Sequence, residues 1–145
     1  MSFLSNLFGG GTPEEKAAKA AAKAEVRARR DAEELAEKQA RTDDLFARAM
    51  GNDPENSSCD ARRKAAIKLV LANDTARGRE AWLAISRDYP TELGDALEQV
   101  GVCYHLDKDY RAALENYEAA IRVGANADHL ADNIDEARKG LAALG

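Results

Sequence analysis

The side chains of this chain that could do chemistry are few and scattered. Its only cysteines are Cys59 and Cys103 and its only histidines His105 and His129. A thiol nucleophile needs a base within hydrogen-bond reach, and no spacing in this sequence supplies one to Cys103. Beside Tyr104, Cys103 reads as a small buried side chain. Neither cysteine has a Cys or His at zinc-binding spacing, and no disulfide is expected between them. Gly9-Gly10-Gly11 lacks both the preceding strand and the following lysine of a phosphate-cradling loop. Carboxylates are plentiful but spread along helical surface. No catalytic residue, metal ligand or cofactor is therefore assigned, and a non-enzymatic role is expected.

What remains is the chemistry of contact, and the element that must present it is clearest from Leu97 to Ile121, LEQVGVCYHLDKDYRAALENYEAAI. Leu97, Val100, Tyr104 and Leu106 recur at helical spacing, as do Tyr110, Ala113, Leu114, Tyr117, Ala120 and Ile121. The polar turn Asp107-Lys108-Asp109 separates the two runs. An antiparallel helix pair is predicted. Gly101, Ala113 and Ala120 are small where two helices must approach closely, and the large Leu97, Tyr104 and Tyr117 stand beside them.

This pattern resembles the tetratricopeptide repeat, whose marker slots are filled here by Leu97, Val100-Gly101, Tyr104, Ala113, Tyr117 and Ala120, with Ala125 in the proline slot. A second copy lies 35 residues upstream. Ala66 aligns with Gly101, Leu69 with Tyr104, Gly78 with Ala113, Trp82 with Tyr117 and Ile85 with Ala120, and Pro90 follows Tyr89 in the proline slot. Arg62 and Ala65 occupy slots that are otherwise large and apolar. The resemblance covers residues 59–126 and implies an all-α fold, with repeats at 59–92 and 93–126. It also implies that Trp82, Tyr104 and Tyr117 are packing residues.

The family's stacked helix pairs present a concave wall that binds other proteins rather than a reaction centre. Carrying its groove positions onto this register gives Asp60, Arg63, Ile67, Val70 and Leu71 from the first copy. The second copy contributes Asp95, Glu98, Val102, His105 and Leu106. The implied groove is apolar at its floor and acidic at one end, complementary to a peptide or helix with an apolar anchor and a basic flank. Chaperone-binding members clamp a C-terminal carboxylate with lysines, arginines and asparagines. Here only Arg63 matches in charge and Ile67 replaces an asparagine, so that specificity is not implied.

After the repeats, Leu130, Ile134, Ala137, Leu141 and Leu144 form one amphipathic stripe, and residues 127–145 are predicted to be a capping helix with a polar outer face. Before them, Thr12-Pro13-Glu14-Glu15 is a strong helix start. A long Ala-rich charged helix is predicted over residues 12–50, and the loop GNDPENSS at 51–58 marks a boundary. The seam of that helix is mostly alanine, too little apolar area for a firm coiled coil, so a solvated spacer is expected. Its end, with Leu45, Phe46, Ala49 and Met50, is apolar enough to fold back over the open side of the first pair. Two repeats alone are short of the roughly three a stack needs. Residues 1–11 place Phe3, Leu4, Leu7 and Phe8 on one face of a short segment before three glycines. That tip suits a partner groove or a weak membrane contact.

Charge narrows the partner class. The net charge is −5 at pH 7, and residues 51–145 hold all of the excess, with twelve basic and seventeen acidic side chains. Nucleic acid is not expected, because duplex binding needs a basic footprint. No secretory signal pattern or membrane-spanning run is visible, the sequons at Asn56 and Asn73 read as accidental, and a reducing cytoplasm is the expected setting. The leading expectation is a protein-interaction adaptor. The alternative is a structural subunit that self-associates, or extends through a larger complex, by way of its long helix, peripheral to a membrane through the apolar tip.

Overall fold

Stretches of helix-forming residues, punctuated by capping side chains, divide the chain into six α-helices in the computed structural model, which describes residues 10–145. The tip residues Phe3, Leu4, Leu7 and Phe8 lie outside the described residues. α1 spans Pro13–Ala49, α2 Cys59–Leu71, α3 Thr75–Asp88, α4 Leu93–Leu106, α5 Tyr110–Arg122 and α6 Ala127–Leu144. Short 3-10 turns at Pro54–Asn56 and Pro90–Glu92 lead into α2 and α4. The class is all-α, with no strand among the described residues.

Most helix starts have a local cause. Thr12 and Glu15 cap α1 reciprocally, each accepting the other's backbone N–H at 3.1 Å. Ser58 accepts from Ala61 N–H before α2, Asp109 from Ala112 N–H before α5, and Asn126 from Asp128 and His129 N–H before α6. α1 ends at Gly51, whose φ of 80° is the left-handed conformation that closes a helix, with Asn52 N–H returning to the Ala47 carbonyl. Asp53 accepts from Asn56 and from the Glu55 N–H in the loop that follows, bonds that hold its carboxyl below the usual range.

The chain divides into two compact units between Ala40 and Arg41, inside α1. In the first, residues 13–40 are exposed on every side, as their alanine and charge content predicts. In the second, α2 packs on α3, α3 on α4, α4 on α5 and α5 on α6. Two apolar clusters form its core. One centres on Leu69, Trp82, Ile85 and Cys103, the other on Tyr117, Leu130, Ile134 and Ala137, and Val102 and Tyr104 touch both.

Some positions 35 residues apart are alike in packing and in backbone. Trp82 and Tyr117 are each 1% exposed. Asn73 and Lys108, at equivalent turn positions, share a φ of 62°. Gly101 is required by its neighbour: a Cβ there would sit 2.6 Å from the Tyr117 ring. Gly78 plays the same part less tightly, 3.0 Å from Val70 Cγ2. Gly140 in α6 is a third such seat, with a Cβ falling 2.5 Å from the Tyr110 ring. The apolar stripe of α6 is shorter than expected, since Leu144 is 69% exposed and its packing stops near Leu141.

Arg62, an unpromising residue for a large apolar slot, is 4% exposed. Its stem packs in the core while Nε donates to the Ala49 carbonyl at 2.9 Å and Nη1 pairs with Asp88 at 2.7 Å. The guanidinium also lies 5.8 Å from the Tyr89 ring centroid. The carbonyl it meets is the last of α1, one that no intrahelical partner satisfies. Arg77 completes the attachment, reaching Asp43 at 2.7 Å and Thr42 Oγ1 at 2.8 Å over the Phe46 ring. The last turns of α1 thus close the first helix pair, with Ala49 fully buried and Leu45, Phe46 and Met50 packed on the same core.

Those turns follow the pattern of α3 at an offset of 36 residues. Thr42, Phe46, Ala49 and Pro54 correspond to Gly78, Trp82, Ile85 and Pro90, and a 3-10 turn begins at each proline.

Two expectations follow. Replacing Arg62 with alanine strands the Ala49 carbonyl in the core, and urea denaturation should show a loss of about 2–4 kcal/mol. Burial, with Glu98, Cys103 and Glu136 adding to it, pushes the Tyr117 hydroxyl up to about 12, and burial pushes the Cys103 thiol up to about 11. The unfolded chain therefore releases these protons first. Stability is undiminished below about pH 9 and falls as pH rises toward the folded values. Tyr117→Phe should flatten that alkaline decline, read from denaturation midpoints between about pH 8 and pH 11.

Candidate functional site

The groove positions fall on α2 and α4 as five pairs 35 residues apart: Asp60 with Asp95, Arg63 with Glu98, Ile67 with Val102, Val70 with His105 and Leu71 with Leu106. Three of these side chains leave apolar surface in water, Ile67 at 39%, Leu71 at 80% and Leu106 at 50% exposed. Val102 is half-buried, touching both apolar clusters. Val70 is a correction: it is 7% exposed and turns into the core against Gly78, whose missing side chain leaves room for it.

The charged positions are held rather than free. Arg63 spans the two helices, pairing through Nη1 with Glu92 and, at 3.0 Å, with Asp95. Its guanidinium lies 5.7 Å from the Trp82 ring centroid. Partial burial opposes its charge, but Glu92 and Asp95 outweigh burial and hold its pKa above the usual arginine value. Asp60 pairs with Lys64 at 2.9 Å. Glu98 Oε1 meets His129 Nε2 at 3.1 Å, linking α4 to the first turn of α6. The carboxylates of the acidic end expected from the sequence thus have partners within the same unit.

An open cleft of about 210 Å³ remains beyond them, lined by Val102, His105 and Leu106 from α4, Tyr117 from α5, and Asn133 and Glu136 from α6. His105 Nδ1 is 3.2 Å from the Tyr117 hydroxyl. Its ring stands edge-on to Tyr110 with centroids 5.5 Å apart. The imidazole is therefore positioned by two aromatic neighbours while one edge of it borders the cleft. Val102 and Leu106 make an apolar floor. Glu136, which has no ion pair among the described residues, supplies a carboxylate at the rim.

Sequence reasoning missed Glu92, the Tyr117 hydroxyl, Asn133 and Glu136 as parts of this surface. Asn133 and Glu136 carry a usable signal: they are three residues apart on the polar flank of the α6 stripe, where a capping helix would adjoin the preceding groove helix. Tyr117 was read as packing, and its ring does pack; only the hydroxyl reaches the cleft.

The arrangement suits contact chemistry: an apolar floor, a fixed imidazole, an amide and a carboxylate. Burial keeps the Cys103 thiol protonated, with its pKa raised to about 11, so it is a poor nucleophile at neutral pH. Among the described residues, no group of three or more His, Cys, Asp or Glu is placed to hold a metal ion. No described helix is long and apolar enough to cross a membrane. No family model, curated protein or solved structure matches this chain.

Proposed function

We propose that this protein is a non-enzymatic adaptor of the tetratricopeptide-repeat kind, which uses the α2–α4 face to hold a peptide or helix of another protein. The observation that carries the reading is the pair Leu71 and Leu106. They are repeat-equivalent, project apolar side chains into water, and Leu106 borders a cleft with polar groups at its rim. Exposed apolar surface rimmed by polar groups marks interaction sites. The ligand that fits has an apolar anchor for the Val102–Leu106 floor and a basic residue for Glu136. Two free thiols, one of them buried, agree with a reducing cytoplasmic setting.

A second reading has its own observation. Val26 and Leu35 of α1 are 55% and 56% exposed and, nine residues apart, lie on opposite sides of the helix, so each side offers one apolar residue to another copy of the chain.

Two measurements separate these readings. A synthetic peptide library with a leucine, phenylalanine or tryptophan anchor flanked by Lys or Arg should yield ligands of roughly micromolar affinity for the intact chain. Leu71→Asp with Leu106→Asp should weaken them by about tenfold or more, because each carboxylate must be desolvated against the anchor. A failure to bind any library member, or equal binding by the double variant, rejects the adaptor. Sedimentation velocity should show a monomer at all protein concentrations; a mass that rises with concentration and falls after Val26→Gln with Leu35→Gln would establish the assembly reading instead.

A further inference from the structure

The cleft between α4, α5 and α6 contains a hydrogen bond whose direction follows from its surroundings. Tyr117 Oη lies 3.2 Å from His105 Nδ1. Burial pushes the Tyr117 hydroxyl up to about 12, so it keeps its hydrogen at neutral pH, and His105 is its only hydrogen-bond partner among the described residues. A side chain 1% exposed has little water to turn to instead. The hydroxyl therefore donates and Nδ1 accepts. A neutral imidazole whose Nδ1 accepts carries its own hydrogen on Nε2.

Nε2 is the free end of this pair. It makes no hydrogen bond among the described residues and is not sealed from solvent. The ring that carries it is held by the Tyr117 hydroxyl and by the edge contact with Tyr110. His105 thus sets one fixed N–H donor beside the apolar floor of Val102 and Leu106. Asn133 of α6 lines the same cleft without a hydrogen bond among the described residues, and its amide offers both a donor and an acceptor.

A donor in that place discriminates between a helix and an extended peptide. Inside a helix every carbonyl is already taken by the N–H four residues on, so a helix laid across the cleft would cover Nε2 and leave it without a partner. An extended segment has no internal hydrogen bonds and offers a carbonyl at each residue. Resting on the adaptor reading, we infer that the cleft takes an extended peptide, with a main-chain carbonyl next to the apolar anchor accepting from His105 Nε2–H and a neighbouring main-chain N–H donating to Asn133 Oδ1. His105 is then the residue that selects the ligand's backbone conformation, and Tyr117 positions it.

One test needs no ligand. Nitrogen-15 NMR of the full chain at about pH 8.5, above the ordinary imidazole range, should find His105 with its hydrogen on Nε2; a hydrogen on Nδ1 overturns the assignment. The others use the tightest leucine-, phenylalanine- or tryptophan-anchored member of the peptide library. His105→Leu should weaken it about fivefold at unchanged helicity, and His105→Gln, which keeps an N–H donor, should recover most of that loss. Exchanging the peptide's amides for esters one at a time should reveal one linkage beside the anchor that costs about fivefold against the intact chain and almost nothing against His105→Leu. Carbon-13 shifts of the bound peptide should be those of extended backbone. Helical shifts, full affinity for His105→Leu, or equal ester losses in both chains would each overturn the inference and leave the adaptor standing. A library without a ligand rejects the adaptor, and this inference with it.

Discussion

The contact between the Tyr117 ring and the bare backbone of Gly101 sets the geometry of the second unit. The aromatic ring can be fully covered only if the facing helix presents no side chain at that point, and a Cβ there would lie 2.6 Å from it. Burying a ring of this size contributes on the order of 2–3 kcal/mol, and a mismatch costs a similar amount, so the pairing decides which faces of α4 and α5 meet. Trp82, 35 residues earlier and beneath the Arg63 guanidinium, is covered to the same extent. Gly140 and Tyr110 extend the same device to α6.

A stack built this way has two ends, and each exposes apolar surface unless something covers it. At one end α6 supplies Leu130, Ile134 and Ala137 and turns its charged side outward. At the other, the last turns of α1 cover the α2–α3 pair with Leu45, Phe46, Ala49 and Met50. A buried arginine makes this closure possible. A large apolar residue in place of Arg62 would fill the volume but could not satisfy the terminal carbonyl of α1, whereas the guanidinium does both. The attachment is therefore polar in its hydrogen bonds and apolar in its packing.

The same economy shapes the surface. Several charged side chains near the α2–α4 face are engaged internally, Arg63 across two helices and Glu98 across to α6. What stays available is apolar surface at Leu71 and Leu106 and the cleft beside His105.

The helices and their ends were legible in the amino-acid sequence, because they depend on local signals: apolar spacing, capping side chains and small residues beside large ones. The likeness of Thr42, Phe46 and Ala49 to Gly78, Trp82 and Ile85, 36 residues later, was equally present but concealed, since it lies at the end of one continuous helix. Tertiary structure alone decided that Arg62 is an interior residue, that Val70 turns into the core rather than into a groove, and that Glu98 is held by His129. Each of these depends on which distant group arrives opposite the side chain. A residue's type restricts the partners it can accept, but only the folded chain determines whether a carbonyl, a glycine or an imidazole is waiting there.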